Sequence, residues 1–384
     1  MTRRVVLLMA ALAAADCTAD VRSVDAIAEG YVRATLQLAQ HDPTLVEDWR
    51  GPESFRPGPR IPVAEVAREI ESLRRDAEYA ASDISNAQEH ARVQYLSAQL
   101  RALQFAAHRQ LGRAASIDVQ AREEFGVTFP PLDVAAAQRA HQGLREALPG
   151  SGTLSDRARD HRARTLIPAR LRQQFLTEAL QSCREATGAV LPLPRDESVA
   201  IVLGDPPLFD AFARYRGNNR TELEISGGPL DIARAHRLAC HEGYPGHHVQ
   251  HLLIERVYRE RQWPELLLTP AFGPHLLYLE GAAEVGADLV LNESHVDRLL
   301  RDLQPIVTDV ARAYLDGSLT EERAIERLAN EALVANPAGT LAFIEQRRAR
   351  ALVYVEGRRL VFDRLKTKDL AGLYDAFRSI AALQ

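Results

Sequence analysis

The stretch His241-Glu242-Gly243-Tyr244-Pro245-Gly246-His247-His248 decides how the chain reads, because it gathers three imidazoles and a carboxylate around a Pro-Gly pair. A single histidine on a helix is usually structural, but this cluster is hard to explain as packing. The zinc peptidase signature His-Glu-x-x-His puts two ligands one helical turn apart, with the glutamate as general base. Here position 245 is Pro, so the second ligand must come later. On a regular helix, at about 100° per residue, His248 lies about 700° from His241, nearly on the same face but roughly 10.5 Å along the axis. His247 lies about 600° away, on the wrong face. A regular helix is not expected, since Pro245 has no N–H for the His241 carbonyl and crowds it, and Gly246 adds freedom. A kink or bulge can bring either histidine beside His241, and the spacing leaves His247 and His248 both open.

A second acidic pair follows in Leu279-Glu280-Gly281-Ala282-Ala283-Glu284. Glu280 completes a set of three protein ligands and leaves a fourth position for water, the open arrangement of a catalytic zinc site. Imidazole and carboxylate donors suit zinc, and one ion is expected. Glu242 is placed to take a proton from the activated water. Glu284, one turn after Glu280 on the same face, is a candidate to orient a ligand imidazole.

Outward from the motif, apolar periodicity predicts helices. Toward the N-terminus these are Val21–Gln40, Val63–Tyr79, Ala87–Leu111, Val134–Leu148, Ile167–Thr187 and Leu230–Cys240. Beyond it they are Leu276–Leu291, His295–Leu315, Thr320–Leu333, Gly339–Leu365 and Asp369–Ala382. Strand signals are confined to the Val/Ile-rich Ser198–Leu203 and the alternating Thr221–Ser226. The expected fold is mostly α, with a small antiparallel sheet beside the active-site helix. A loose boundary near residue 165 divides a helical subdomain, 21–165, from a metal-binding catalytic portion, 166–384.

A length of 384 residues with 46% hydrophobic and 26% charged residues describes a globular protein with a sizeable core. The net charge of −5 argues against nucleic acid as a partner. Cys17, Cys183 and Cys240 are too few and too scattered for a disulfide framework or a thiolate metal site. Arg3 and Arg4 precede an apolar run, Val5 to Ala15, that is too short to span a bilayer and reads as an export signal over residues 1–20. Export is therefore expected, with Cys17 as a possible lipid attachment point and no stable membrane insertion beyond this segment.

The motif and the Glu-Gly-x-Ala segment resemble those of the bacterial domain-of-unknown-function family numbered 885, a group of metallopeptidase-like proteins. Weaker supports are His41-Asp42-Pro43 with Gly51-Pro52, the segment Arg216–Arg220 before the second strand, and Arg348 with Tyr354 and Gly357. The chain departs from the family pattern at Asn219, Arg350 and Gly227-Gly228. The resemblance implies a gluzincin-like zinc core, with His241, His247 or His248, and Glu280 as ligands and Glu242 as acid/base. It also implies that Arg220, Arg348 and Tyr354 face the site, where an arginine or a tyrosine hydroxyl can stabilise an oxyanion. The expected activity is hydrolysis of a peptide amide, with the Thr221–Ser226 strand pairing to an extended substrate. The alternatives are a non-peptide amide or ester as substrate, and a metal-containing binding protein without catalysis.

Overall fold

The computed structural model describes residues 22–204 and 211–381, so the expected export segment and Cys17 lie outside the described residues. The front helices are α1 (Val24–Ala39), α2 (Val63–Asp83), α3 (Ala87–Gln110), α4 (Ile117–Phe125), α5 (Val134–Ala147) and α6 (Leu154–Arg164). The middle of the chain carries α7 (Arg172–Gly188), α8 (Ile232–Leu238), α9 (His247–Arg261) and α10 (Pro274–Val290). Then come α11 (His295–Arg301), α12 (Gln304–Leu315), α13 (Glu321–Asn330), α14 (Pro337–Arg347), α15 (Val353–Arg364) and α16 (Leu370–Ala381). The strands are β1 (Val46–Trp49), β2 (Ser198–Gly204), β3 (Ala211–Gly217), β4 (Arg220–Ser226) and β5 (Leu268–Pro270).

The fold is mostly helical, as the periodicity predicts, and its helices start where polar side chains satisfy the first free N–H groups. Ser23 caps α1, Asn86 caps α3, and Thr153 with Asp156 forms a reciprocal capping box on α6. Neither α4 nor α6 was expected. In α6, Leu-Ser-Asp-Arg-Ala-Arg-Asp-His-Arg-Ala-Arg shows almost no apolar stripe, so the cap rather than the period marks it. Two long helices expected from the sequence are each broken. His295–Leu315 divides into α11 and α12, and Gly339–Leu365 divides at Arg348, whose φ of +49° cannot continue a helix.

The three-stranded sheet has the order β2-β4-β3. The pair β3–β4 is antiparallel, but β2–β4 is parallel, which makes the sheet mixed. The strand β3 escaped the sequence reading because its inward face is mostly alanine, Ala211 and Ala213 beside Tyr215, while apolar Phe212 sits among the outward positions. A second small sheet pairs β1 with β5, antiparallel, across more than half the chain.

Four large apolar clusters build the interior. One joins α1, α2 and α3 and takes in Leu268 and Phe272. Another packs α7, the three-stranded sheet, α8, α9, α10 and α16 together. The remaining two combine Phe125 and Phe129 with Leu276 and Val353, and Ala140 and Leu144 with Leu303 and Leu328. Three of the four therefore draw residues from both sides of position 165.

A close helix crossing positions the site. A Cβ on Gly281 of α10 would stand 2.2 Å from the backbone of Gly357 on α15, so only glycine permits this approach. Glu280 sits beside one glycine and Tyr354 lies one turn before the other, which brings both to the same cleft.

Candidate metal centre

The motif helix does not run straight through. After α8 the backbone widens into a π-helical turn, Ala239–Gly243, and then leaves helical geometry at Tyr244 and Pro245, joined by a cis peptide bond. The chain doubles back tightly. The Gly246 N–H donates to the Cys240 carbonyl at 3.1 Å, and a Cβ on Gly246 would collide with the His241 carbonyl at 1.6 Å. Glycine is obligatory there, and α9 begins at the next residue. This is the bulge that the Pro-Gly pair predicts, and it decides between the two open histidines.

His247 turns toward His241. Their rings are 4.8 Å apart and nearly perpendicular, at 85°. Glu280 Oε2 lies 3.3 Å from Nε2 of His241 and 3.3 Å from Nε2 of His247. Those separations are long for hydrogen bonds. They match the edge of a tetrahedron whose ligands stand about 2.0–2.1 Å from its centre, which is roughly 3.3 Å. Donor atoms of Glu242 also fall in the cluster, all within 4.8 Å of those of His241 and His247. Two carboxylates are thus near enough to ligate, and the tighter, symmetric placement of Glu280 makes it the better third ligand.

His248 is excluded from that role. Its ring is fully buried, and both nitrogens are engaged: Nδ1 with Thr221 Oγ1 at 2.7 Å and Nε2 with Glu197 Oε2 at 3.1 Å. Glu197 is held in turn by Arg184 and by the Tyr244 hydroxyl. His248 anchors α9 to the sheet.

The two candidate ligand imidazoles are oriented from behind, as metal-binding histidines usually are. His247 Nδ1 donates to Gln250 Oε1 at 2.9 Å, and Gln250 Nε2 donates to the Leu279 carbonyl at 2.8 Å. Gln250 thereby sets the tautomer that frees Nε2 and ties α9 to α10. It was not singled out in the sequence, although its spacing of three from His247 places it on the same helix face. On the other ligand, His241 Nδ1 lies 3.2 Å from Glu284 Oε1, at an angle that makes no well-aligned hydrogen bond. Glu284 is fixed by Arg237 at 2.9 Å, and Arg237 also reaches Asp288 at 2.8 Å.

The imidazoles and carboxylates of the pocket shift one another's ionisation. His241, Glu242 and Glu280 are buried, and Glu284 is nearly so. Burial alone would lower the pKa of His241, yet Glu280 and Glu284 outweigh it and raise the pKa well above the usual imidazole range. Burial opposes ionisation of Glu280, but His247 and His241 pull it down to about 2. Glu242 moves the other way, raised first by burial and further by Glu280. A carboxyl with a raised pKa next to a ligand set is suited to passing a proton. It also accepts the backbone N–H of Ala213 on β3.

These groups open into a cleft whose walls include Glu47 and Asp48 of β1, Ala211 to Ala213 of β3, Gln250 and Tyr354. The Tyr354 ring is 6.2 Å from the His241 ring, so Tyr354 is at the site as the resemblance implies. Two other residues are not. The Arg348 side chain binds Gln120 Oε1 at 3.2 Å and the Ala115 carbonyl at 3.3 Å, and it is not among the walls of the cleft. Arg220 is exposed at the start of β4 and does not line the cleft. Arg350 instead pairs with the wall residue Glu47. The expected substrate strand is also corrected. Thr221–Ser226 is the central strand β4, bonded on both edges, whereas β3 is the edge strand that borders the cleft. The cysteines depart from expectation too: Cys183 of α7 and Cys240 form a disulfide, which tethers the π-helical turn immediately before His241.

No protein-family model matches the chain, and no curated protein matches it. Among solved structures it is similar to one described as "the putative lipoprotein from Colwellia psychrerythraea", with 15% identity, 86% of this chain and 70% of that chain covered, and a TM-score of 0.49. It is also similar to "a putative lipoprotein of unknown function from Shewanella oneidensis", with 13% identity, 84% and 71% coverage, and a TM-score of 0.48. Among the described residues no helix is long and apolar enough to cross a membrane.

Proposed function

We propose that this protein is a zinc-dependent hydrolase acting on amide bonds, most readily those of peptides. The observation that carries the reading is the position of Glu280 Oε2, 3.3 Å from Nε2 of both His241 and His247, with Glu242 beside them on an open cleft. His241, His247 and Glu280 hold the ion, in a gluzincin-like arrangement that agrees with the resemblance to family 885. When bound, zinc supplies a Lewis acid that polarises a carbonyl and acidifies water. Glu242 takes a proton from the attacking water on its carboxylate and delivers it to the leaving nitrogen. Tyr354, whose hydroxyl is kept protonated by burial and by Glu280, donates to the oxygen that becomes anionic. The edge strand β3 aligns an extended substrate along the cleft.

The Cys183–Cys240 bond supports a working location outside the cytoplasm, since such bonds persist in oxidising compartments. The reading is tested by elemental mass spectrometry and peptide turnover together. About one zinc per chain, lost in His241→Ala and Glu280→Ala, is expected. Glu242→Gln is expected to keep the metal and lose activity by about 10²–10⁴-fold. Zinc retention with unchanged turnover in Glu242→Gln would remove Glu242 from the mechanism. Full metal content with no turnover of any peptide, amide or ester would favour a binding protein.

A further inference from the structure

A second cavity adjoins the cleft. It is lined by Arg50, Tyr95, Glu265 and His275, and it shares the walls His251, Ile254, Thr269, Leu276 and Leu279 with the cleft. Their charges differ. The metal end presents Glu47, Asp48, Glu242 and Glu280. In the second cavity the one lining carboxylate, Glu265, is closed off by Arg92, whose Nε and Nη2 donate to it at 2.6 and 3.2 Å.

Arg50 is the contrasting feature. It follows β1, and its backbone N–H donates to the Leu267 carbonyl at 3.1 Å, so it is fixed by the β1–β5 pairing. Its guanidinium lies 5.1 Å over the Tyr215 ring. Its Nε is buried without a hydrogen-bond partner, and the Asp48 carboxylate stands at 3.5 Å. Its Nη2 reaches only the Leu266 carbonyl, at 3.4 Å. His251 stacks on the same Tyr215 ring at 5.0 Å and 18°, and its Nδ1 is buried without a hydrogen-bond partner. Burial and the nearby Arg50 hold His251 neutral, so one of its ring nitrogens remains a donor and the other an acceptor. A guanidinium whose Nε meets only the Asp48 carboxylate at 3.5 Å, beside a neutral imidazole one helical turn after His247, can receive a planar anion.

We propose that Arg50 and His251 form a carboxylate subsite next to the metal cleft, and that the enzyme prefers short substrates carrying a free carboxylate. The proposal rests on the hydrolase reading above. The carboxylate can be a peptide C-terminus or an acidic side chain, and both present the same group to Arg50.

The test is calorimetric binding to Glu242→Gln protein, chosen because its turnover is expected to be too slow to consume the probe, before and after metal removal by a chelator. The probes are an N-acetyl dipeptide as free acid, its C-terminal amide, and an amide that carries an Asp side chain. The free acid is expected to bind at least about tenfold more tightly than the plain amide, with metal or without it. That preference is expected to collapse in Arg50→Met and to recover in part in Arg50→Lys, which keeps the charge but loses the planar fork. Tight binding of the Asp-bearing amide supports the subsite and assigns the side-chain carboxylate to it. Equal binding of acid and plain amide, a preference that vanishes on metal removal, or a preference untouched by Arg50→Met overturns the proposal. Should Arg50→Met not fold, an unchanged ratio in Arg50→Lys overturns it equally. Turnover by wild-type protein without any acid preference defeats the subsite alone, whereas an acid preference without turnover defeats the hydrolase reading alone.

Discussion

Glu284 Oε1 stands 3.2 Å from Nδ1 of His241, on the side of the imidazole away from Glu280. A carboxylate behind a ligand histidine orients the ring and raises its basicity. Glu284→Gln is therefore expected to weaken zinc binding by about 10–100-fold while the fold remains. Competition against a chromophoric chelator measures this. Unchanged affinity would show that Glu284 serves only the ion network around Arg237.

The two adjacent histidines should behave oppositely. His247→Ala is expected to abolish zinc binding with little effect on thermal stability. His248→Ala is expected to keep zinc near one per chain and to destabilise the fold by about 1–3 kcal/mol, because Thr221 and Glu197 each lose a buried partner. Metal analysis beside denaturant unfolding separates them, and loss of zinc in both would contradict the assignment.

The disulfide bridges a sequence separation of 57 and is anchored one residue before a ligand. Its removal in a Cys183→Ala/Cys240→Ala double variant is expected to lower stability by about 2–4 kcal/mol. Because it tethers the turn that presents His241, zinc affinity should fall as well. An unaltered affinity in a less stable protein would mean that Gly246 and the neighbouring helices hold the turn without it.

Glu197 gives a pH dependence away from the ligands. Burial opposes its charge, but His248, Tyr244 and Arg184 bring its pKa down from 4.5 to about 2. A depressed carboxyl contributes stability that is full above its unfolded pKa and is lost as pH falls through the folded one. Stability should therefore decline between pH about 4.5 and about 2, by on the order of 2 kcal/mol from this group, a figure reduced because Arg184 is 41% exposed. Acid titration of Glu197→Gln should show a correspondingly smaller decline. A decline of the same size would assign the effect to other carboxyls.

The sequence alone determined the helical class, the His/Glu-rich candidate segment, the Glu280 and Glu284 pair and the break at Pro245-Gly246, because these are local signals: a 3.6-residue period, a cluster of side chains able to ligate, and two residues that a helix cannot accommodate. Tyr354 and Gly357 were legible only through resemblance, and their reason is spatial, since Gly357 lets α15 approach Gly281 and so carries Tyr354 to Glu280. Only the tertiary structure decided between His247 and His248. Both follow the same bulge, and what separates them is that Thr221 and Glu197, distant in sequence, occupy both nitrogens of His248. Tertiary structure likewise turned Arg348 away, moved the edge of the sheet from β4 to β3, joined Cys183 to Cys240, and delivered Glu47, Asp48 and Arg50 to the cleft through β1–β5 pairing. Pairings between residues far apart in the chain leave no periodic trace in either partner, because each depends on the position of the other and not on its own neighbours.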